Sequence, residues 1–450
     1  MGVLSCGTTM LDQGVFQNIG AVTWDTTVKT SGFTAVSGNG YFCNTTSGAF
    51  TVTLPSSPSA GDVVGIKDYA NTADTNNITI GRNGSNIQGQ AEDFKITTEG
   101  RSVLLVYVDG TKGWLVTSAS QASDLTNPQF VAASGGTITT SGNFKIHTFT
   151  GPGTFCVSAV GNACGSNTVS YAVVAGGGSG GSDYGGGGGA GGFRESKAAS
   201  DSYTASPLNA TSGPGYNLPV SAQGYPISIG AGGAGRTSDG QRGADGTNSV
   251  FSSITSTGGG GGGAEGSPAP ATRPGRTGGS GGGGSYSEPA GAGNTPPVNP
   301  AQGTNGGAGG PGPSLTGGGG GGATVVGAAP CGTASGAGGA GATSSINATP
   351  TARAGGGGGA GGGSPFGQGY TPGPGGAGGG GAGAPTSGGS GVDGTANTGG
   401  GGGGAGAPTS GGSGVNGTAN TGGGGGGGNL TTTCSGAGGS GVVIIRYKFQ

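Results

Sequence analysis

Charge is scarce in this chain. Of its 450 residues, 8% are Asp, Glu, Lys or Arg, against about 25% in an ordinary globular protein. Apolar residues reach only 30%, too few for one enzyme-like core of this length. The net charge of −2 is too small for disorder driven by charge repulsion. With 16 Lys and Arg against 18 Asp and Glu and no basic run, nucleic-acid binding is disfavoured. No stretch approaches the length of about 18 apolar residues that spans a bilayer, so no membrane insertion is expected. The opening residues lack a basic region followed by an apolar one, so no secretory signal is read. One His and six scattered cysteines, none in a CxxC pair, leave no metal set. Strings of the form GxGxxG follow from composition and sit in no βαβ unit, so no cofactor is expected.

What the chain has is glycine, 123 residues or 27% of the total, against about 7% on average. It comes in blocks, not at every third position, which excludes collagen. Only 23 glycines fall in residues 1–170, and 100 fall in 171–450. The two parts call for different physics.

The first part reads as β structure. Residues 40–54 hold two short alternating runs with a turn at 45–48. Phe50, Val52 and Leu54 share one face. Further strands are expected at 63–69, at 76–81 with Ile78 and Ile80 on one face, at 102–108 and at 113–117. This spacing predicts a sandwich or prism over 38–118, preceded by an attachment segment at 1–37 and followed by a linker at 119–129. A second small β unit is expected over 130–175, with 154–160 and 168–174 paired as a hairpin. Cys156 and Cys164 could then face each other, as two buried thiols or as a disulfide. His147 lies in a strand and reads as structural. No capped, 3.6-periodic helix is found anywhere.

In the second part, Gly blocks recur at 176–181, 185–192, 230–235, 258–263, 281–284, 317–322, 336–341, 355–363, 375–383, 399–406 and 422–428. Residues 378–400 repeat as 401–423 with one change, Asp393 to Asn416. Isolated Gly runs should stay disordered, because Gly loses the most backbone entropy on ordering. The alternative is a bundle of three-residue-per-turn polyglycine II helices, close enough to hydrogen-bond to one another. Each bond is worth about 0.5–1.5 kcal/mol net, against about 1–2 kcal/mol to order a residue. One pair of helices fails on these figures, but an array in which most groups find partners holds. The recurrence of the blocks, the apolar segments among them and the plain β-strand at 441–449 favour the array over 176–428. That strand needs a partner, most economically 171–174, and 429–450 would then close the domain.

The order of these signals resembles the glycine-rich domains of bacteriophage tail-fibre proteins and adhesins. The resemblance rests on Tyr171-Ala-Val-Val-Ala-Gly-Gly-Gly, the block from Gly185 to Arg194, Tyr225-Pro-Ile-Ser-Ile-Gly, Asn248-Ser-Val-Phe and the closing Gly441-Val-Val-Ile-Ile-Arg-Tyr. Residues 38–117 resemble a β domain of marine and cyanobacterial phage fibres, through Gly81-Arg-Asn-Gly-Ser-Asn-Ile and Leu105-Val-Tyr-Val-Asp-Gly-Thr-Lys-Gly-Trp114. The resemblance implies a virion protein, assembled in the host cytoplasm and attached to other tail proteins. It further implies a homotrimer whose exposed loops bind a glycan or outer-membrane protein of the host surface. The attachment segment of the long-fibre adhesins is not found here.

Catalysis is not expected. Residues 171–450 carry eight acids, and the nearest pair in sequence, Asp239 and Asp245 flanking Arg242, reads as a solvated loop. Binding is better supported. Aromatics in Gly- and Ser-rich loops offer rigid contact area. Tyr286 and Tyr370 are the first candidates, then Phe366 and Tyr184, with Arg273 and Arg276 placed to meet an acidic glycan. Phe251 and Tyr225 sit in apolar segments and read as packing. A purely structural glycine-rich coat or extracellular fibre is the alternative, and a fibre-borne depolymerase a more distant one.

Overall fold

In a computed structural model of the chain, the described residues are 22–118, 128–162, 165–213, 215–238, 240–266, 271–311, 316–361, 370–383, 415–428 and 435–450, with the backbone of 3–5, 8–12 and 15–16. They contain β-strands and extended segments and no α-helix. Two compact units are present, one of residues 1–129 with 162–165, the other of 130–161 with 166–450. Most of the segment read as a linker, 119–127, lies outside the described residues.

In the first unit the chain winds between two sheets. Strands Thr23–Lys29, Asn39–Cys43 and Val63–Asp68 lie parallel in one, and Phe33–Thr34, Phe50–Thr53 and Ile78–Gly81 lie parallel in the other. Phe94–Ile96, Ser102–Asp109 and Gly113–Val116 add antiparallel strands. The runs on either side of the 45–48 turn therefore cross from one sheet to the other. Val52, Leu54, Val64, Ile66, Ile78, Ile80, Leu105 and Trp114 fill the space between. Cys43 is buried there, and burial pushes its thiol up to about 12.

The second unit begins with two stacked sheets. One is ordered Ala132–Ser134, Gly153–Ala159, Gly224–Ser228, Ser249–Phe251, Ile254–Ser256. The other is ordered Thr137–Ser141, Phe144–Phe149, Val442–Lys448, Thr168–Val174, Phe193–Ser196, with Leu218–Pro219 beside Thr168–Val174. The expected pairing of the C-terminal strand is present, Tyr171 opposite Ile445 and Val174 opposite Val442. The expected hairpin of 154–160 with 168–174 is not: the two strands belong to different sheets. Phe155, Val157, Tyr225 and Phe251 of one sheet instead pack on Tyr171, Val173, Ile445 and Tyr447 of the other. The packing read for Tyr225 and Phe251 is thus found. Cys156 is an exposed free thiol, and Cys164 lies outside the described residues.

The opposite face of Thr168–Val174 is covered as well. Ala172, Val174 and Ile444 meet Phe193, Tyr203, Ala323 and Ile346. Burial on both faces explains why the second half of this strand, 171–174, reads as an unbroken apolar run. At its start Arg446 is buried with Asp201, Nε 3.0 and 3.1 Å from the two carboxylate oxygens, and Ser170 donates to the same carboxylate at 2.9 Å. Its guanidinium lies 4.4 Å from the centre of the Phe144 ring. His147 is also buried, Nδ1 2.7 Å from Gly135 O and Nε2 3.2 Å from Tyr447 Oη. Burial holds its pKa below the ordinary value.

Beyond the sheets lies the polyglycine array, and helix 185–192 is its axis. The N–H groups of Gly185, Gly188 and Gly191 donate to Gly428, Gly425 and Gly422. Those of Gly186, Gly189 and Gly192 donate to Gly263, Gly260 and Thr257, and those of Gly187 and Ala190 to Gly318 and Gly321. Every third residue shares a partner helix, as three residues per turn requires. The carbonyls accept from three more helices: Gly186 and Gly189 from Gly181 and Gly178, Gly187 and Ala190 from Gly283 and Ser280, Gly185 and Gly188 from Ala360 and Gly357. Six helices thus surround one. A Cβ on Gly187 would lie 2.0 Å from Gly357 O, and one on Gly186 2.1 Å from Gly283 O.

At the rim the requirement relaxes. In segment 241–247 only Gly243 and Gly246 turn inward, and a Cβ at either would meet a carbonyl oxygen at 2.1 Å. Gln241, Arg242, Ala244, Asp245 and Thr247 fill the remaining positions, all partly or fully exposed. Segments 273–278, 289–294, 303–310 and 371–377 hydrogen-bond in the same manner. The stretches between blocks, expected as loops, therefore contribute outer helices of the array.

Two outcomes test this packing. Gly187→Ala should unfold or lower the melting temperature of the second unit by many degrees. Gly151→Ala, where a Cβ meets nothing within 4 Å, should cost about 0.5 kcal/mol or less in the same thermal scan. Because His147 has a depressed pKa in the folded state, stability is fully present above the unfolded value near 6.5 and falls as pH drops below it. Melting curves between about pH 8 and 5 should show a loss that His147→Gln reduces.

Candidate functional site

The hydrogen-bond register gives the array two ends. Helix 176–182 leaves strand Thr168–Val174 and runs away from the sheets, and 185–192 returns antiparallel to Phe193–Ser196. The same alternation brings the turns at 182–185 and 285–288, residues 236–238 and 240–241, the hairpin of Ala264–Gly266 with Ala271–Arg273, and residues 330–335 and 370–371 to the far end.

Three of the predicted aromatics are placed there. Tyr184 follows Asp183 in the first turn, both with positive φ, 50° and 54°, which side-chain-bearing residues rarely adopt. Tyr286 lies in a turn closed by Glu288 N–H on Ser285 O at 2.6 Å and secured by Ser287 N–H on Gly310 O at 2.9 Å. Tyr370 precedes Thr371, whose N–H donates to Thr333 O at 2.9 Å. All three are half-buried. Phe366 lies outside the described residues. Phe193 and Tyr203, also aromatics between blocks, are instead buried in the core.

Arg273 and Arg276 are brought together with two arginines not expected from the sequence, Arg236 and Arg242. With Gln241 they line an open depression of about 440 Å³. Each of three guanidiniums is tied to a backbone carbonyl. Arg236 Nε donates to Arg242 O at 2.8 Å, Arg242 Nε to Pro274 O at 2.9 Å, and Arg273 Nη1 to Gly240 O. Arg276 Nη1 donates to Asp245 Oδ2 at 2.7 Å, while Asp245 Oδ1 accepts the N–H of Gly261 at 2.9 Å. Arg276 Nε is buried without a partner among the described residues. Burial lowers the pKa of Arg242, and the nearby charge of Arg276 lowers it further. The signal available in the sequence was density: four of the nine arginines lie between 236 and 276.

Asp245 is thus engaged in structure, and Asp239 lies outside the described residues. Among the described residues no group of three His, Cys, Asp or Glu gathers around a point that could hold a metal. Residues 148–448 match the family model of a glycine-rich domain. The chain belongs to this glycine-rich domain family. The match begins within strand Phe144–Phe149 and ends at the last residue of Val442–Lys448, so the glycine-rich domain comprises the array together with most of the sheets that carry it. No curated protein matches the chain.

The dual role of Asp245 gives a separable outcome. Asp245→Asn keeps an acceptor for Gly261 and loses only an exposed ion pair, so stability should change by under about 1 kcal/mol. Asp245→Ala also strands the N–H of Gly261 and should cost about 1–2 kcal/mol more in thermal unfolding.

Proposed function

We propose that this glycine-rich domain protein is a receptor-binding fibre protein of the bacteriophage tail-fibre and adhesin kind. It binds a glycan or outer-membrane protein of a bacterial surface without chemical conversion. The observation that carries this reading is the segregation of the array. One end is committed to the sheets, and the other presents turns bearing Tyr184, Tyr286 and Tyr370 together with a basic depression. A backbone-bonded scaffold tolerates change in such turns, because its own bonds involve few side chains. Weak contacts at each tip multiply when several copies are carried on one particle. In this reading the protein acts as a homotrimer on the virion, joined to other tail proteins and assembled in the host cytoplasm.

The test is retention of the labelled full-length chain on a panel of bacterial strains. Retention on a subset of strains, reduced about tenfold by Tyr286→Ala with Tyr370→Ala and leaving the surface polysaccharide unshortened, is the expected result. Retention on no strain, or shortening of the polysaccharide, would overturn it.

A further inference from the structure

We propose that the depression lined by Arg236, Gln241, Arg242, Arg273 and Arg276 is an oxyanion-binding site, and that its ligand is the carboxylate or phosphate group of an acidic surface glycan. The assignment of a glycan as the source rests on the surface-binding reading above. The assignment of an oxyanion rests on the site itself.

The first argument is charge. In a chain with 8% charged residues, four arginines converge on one depression of about 440 Å³. Of these four, only Arg276 forms an ion pair among the described residues, with Asp245, whose charge also reaches Arg242. Arg236, Arg242 and Arg273 use backbone carbonyls instead. A carbonyl fixes a guanidinium in place without neutralising it. Like charges held close repel one another, and a bound anion relieves that repulsion.

The second argument is preorganisation. Each guanidinium has five N–H donors, and the carbonyl hydrogen bonds of Arg236, Arg242 and Arg273 occupy one apiece. The anchoring carbonyls, of residues 240, 242 and 274, belong to segments locked into the array by their own hydrogen bonds. Guanidiniums so held lose little further entropy on binding. Their planar fork matches carboxylate and phosphate oxygens two at a time. The buried Nε of Arg276 is a further donor without a partner among the described residues.

The third argument is placement. Arg236, Arg242 and Arg273 lie at the end of the array remote from the sheets, where Ser182 N–H donates to Gln241 O beside the Tyr184 turn. Nucleic acid is the less suitable source of phosphate. The chain carries a net charge of −2, and its remaining basic residues form no run that would follow a backbone.

The experiment uses the full-length chain and fluorescein-labelled oligomers: oligogalacturonate for carboxylate, a glycerol-phosphate oligomer for phosphate, neutral dextran, and duplex DNA. Anisotropy titrations should show binding of at least one acidic oligomer, weakening as NaCl rises from about 50 to about 300 mM, and no binding of dextran. Arg242→Gln with Arg273→Gln should raise Kd about tenfold or more. Because both side chains also tie segments together, Arg242→Lys with Arg273→Lys is run alongside. It keeps the charge and loses the fork, and should give an intermediate Kd. The preferred acidic oligomer distinguishes carboxylate from phosphate.

An unchanged Kd in folded variants, equal binding of dextran, or tighter binding of DNA than of either acidic oligomer overturns the proposal. Retention on cells with no binding of either acidic oligomer removes this site and leaves the adhesin reading standing. Binding of an acidic oligomer with retention on no cell does the reverse.

Discussion

The hydrogen bond between the backbones of neighbouring polyglycine helices is the interaction on which the second unit depends. It forms only where no Cβ intervenes. A methyl group at Gly186 or Gly187 would occupy the place of a carbonyl oxygen from the next helix. Glycine is the residue least inclined to order, and a single such bond does not offset its entropy. The array holds because bonds are made in six directions. Helix 185–192 donates to three helices and accepts from three others, so its backbone polar groups are matched inside a region that excludes water. At the rim, where fewer neighbours exist, side chains return. Asp245 there accepts the N–H of Gly261 in place of a missing helix.

The array is tied to a conventional core at one end. Strands Thr168–Val174 and Val442–Lys448 lie side by side in the sheet, and their continuations 176–182 and 435–441 lie side by side in the array. The junction is apolar on both faces of the sheet, and the buried Arg446–Asp201 pair lies toward the opposite end of the same two strands. Such a pair is specific more than stabilising: its cost is felt when one partner is removed. Alternation of helix direction then sends every second turn to the far end. The segregation of sheets from turns follows from the topology, with no separate device required.

The candidate site was half legible in advance. Tyr184, Tyr286 and Tyr370 were marked by position, since an aromatic ring in a Gly- and Ser-rich loop has little core to join. Phe193 and Tyr203, which also lie between blocks, instead fill the core beside the sheet. Arg273 and Arg276 were singled out because they flank Pro274 and Gly275. Arg236 and Arg242 were not, because they reach the same depression from other segments of the chain. Local pattern carries no information about which rim segments are neighbours.

Composition and block recurrence by themselves determined the class of structure: all-β strands, then polyglycine helices, then a closing strand. Each of these is a local property, set by periodicity of two, by absence of side chains, or by an unbroken apolar run. Pairings across long separations were decided only in three dimensions. Residues 40–43 and 50–54 read as two runs joined by a turn and became strands of two different sheets, each with parallel neighbours. Residues 154–160 and 168–174 read as a hairpin and became facing layers. Segments such as 241–247 read as loops and became helices, because a rim helix needs glycine only where it faces inward. The physical reason is common to all three. A short strand or a Gly-containing segment has unsatisfied backbone groups that accept any suitably placed partner, and only the completed packing selects which one.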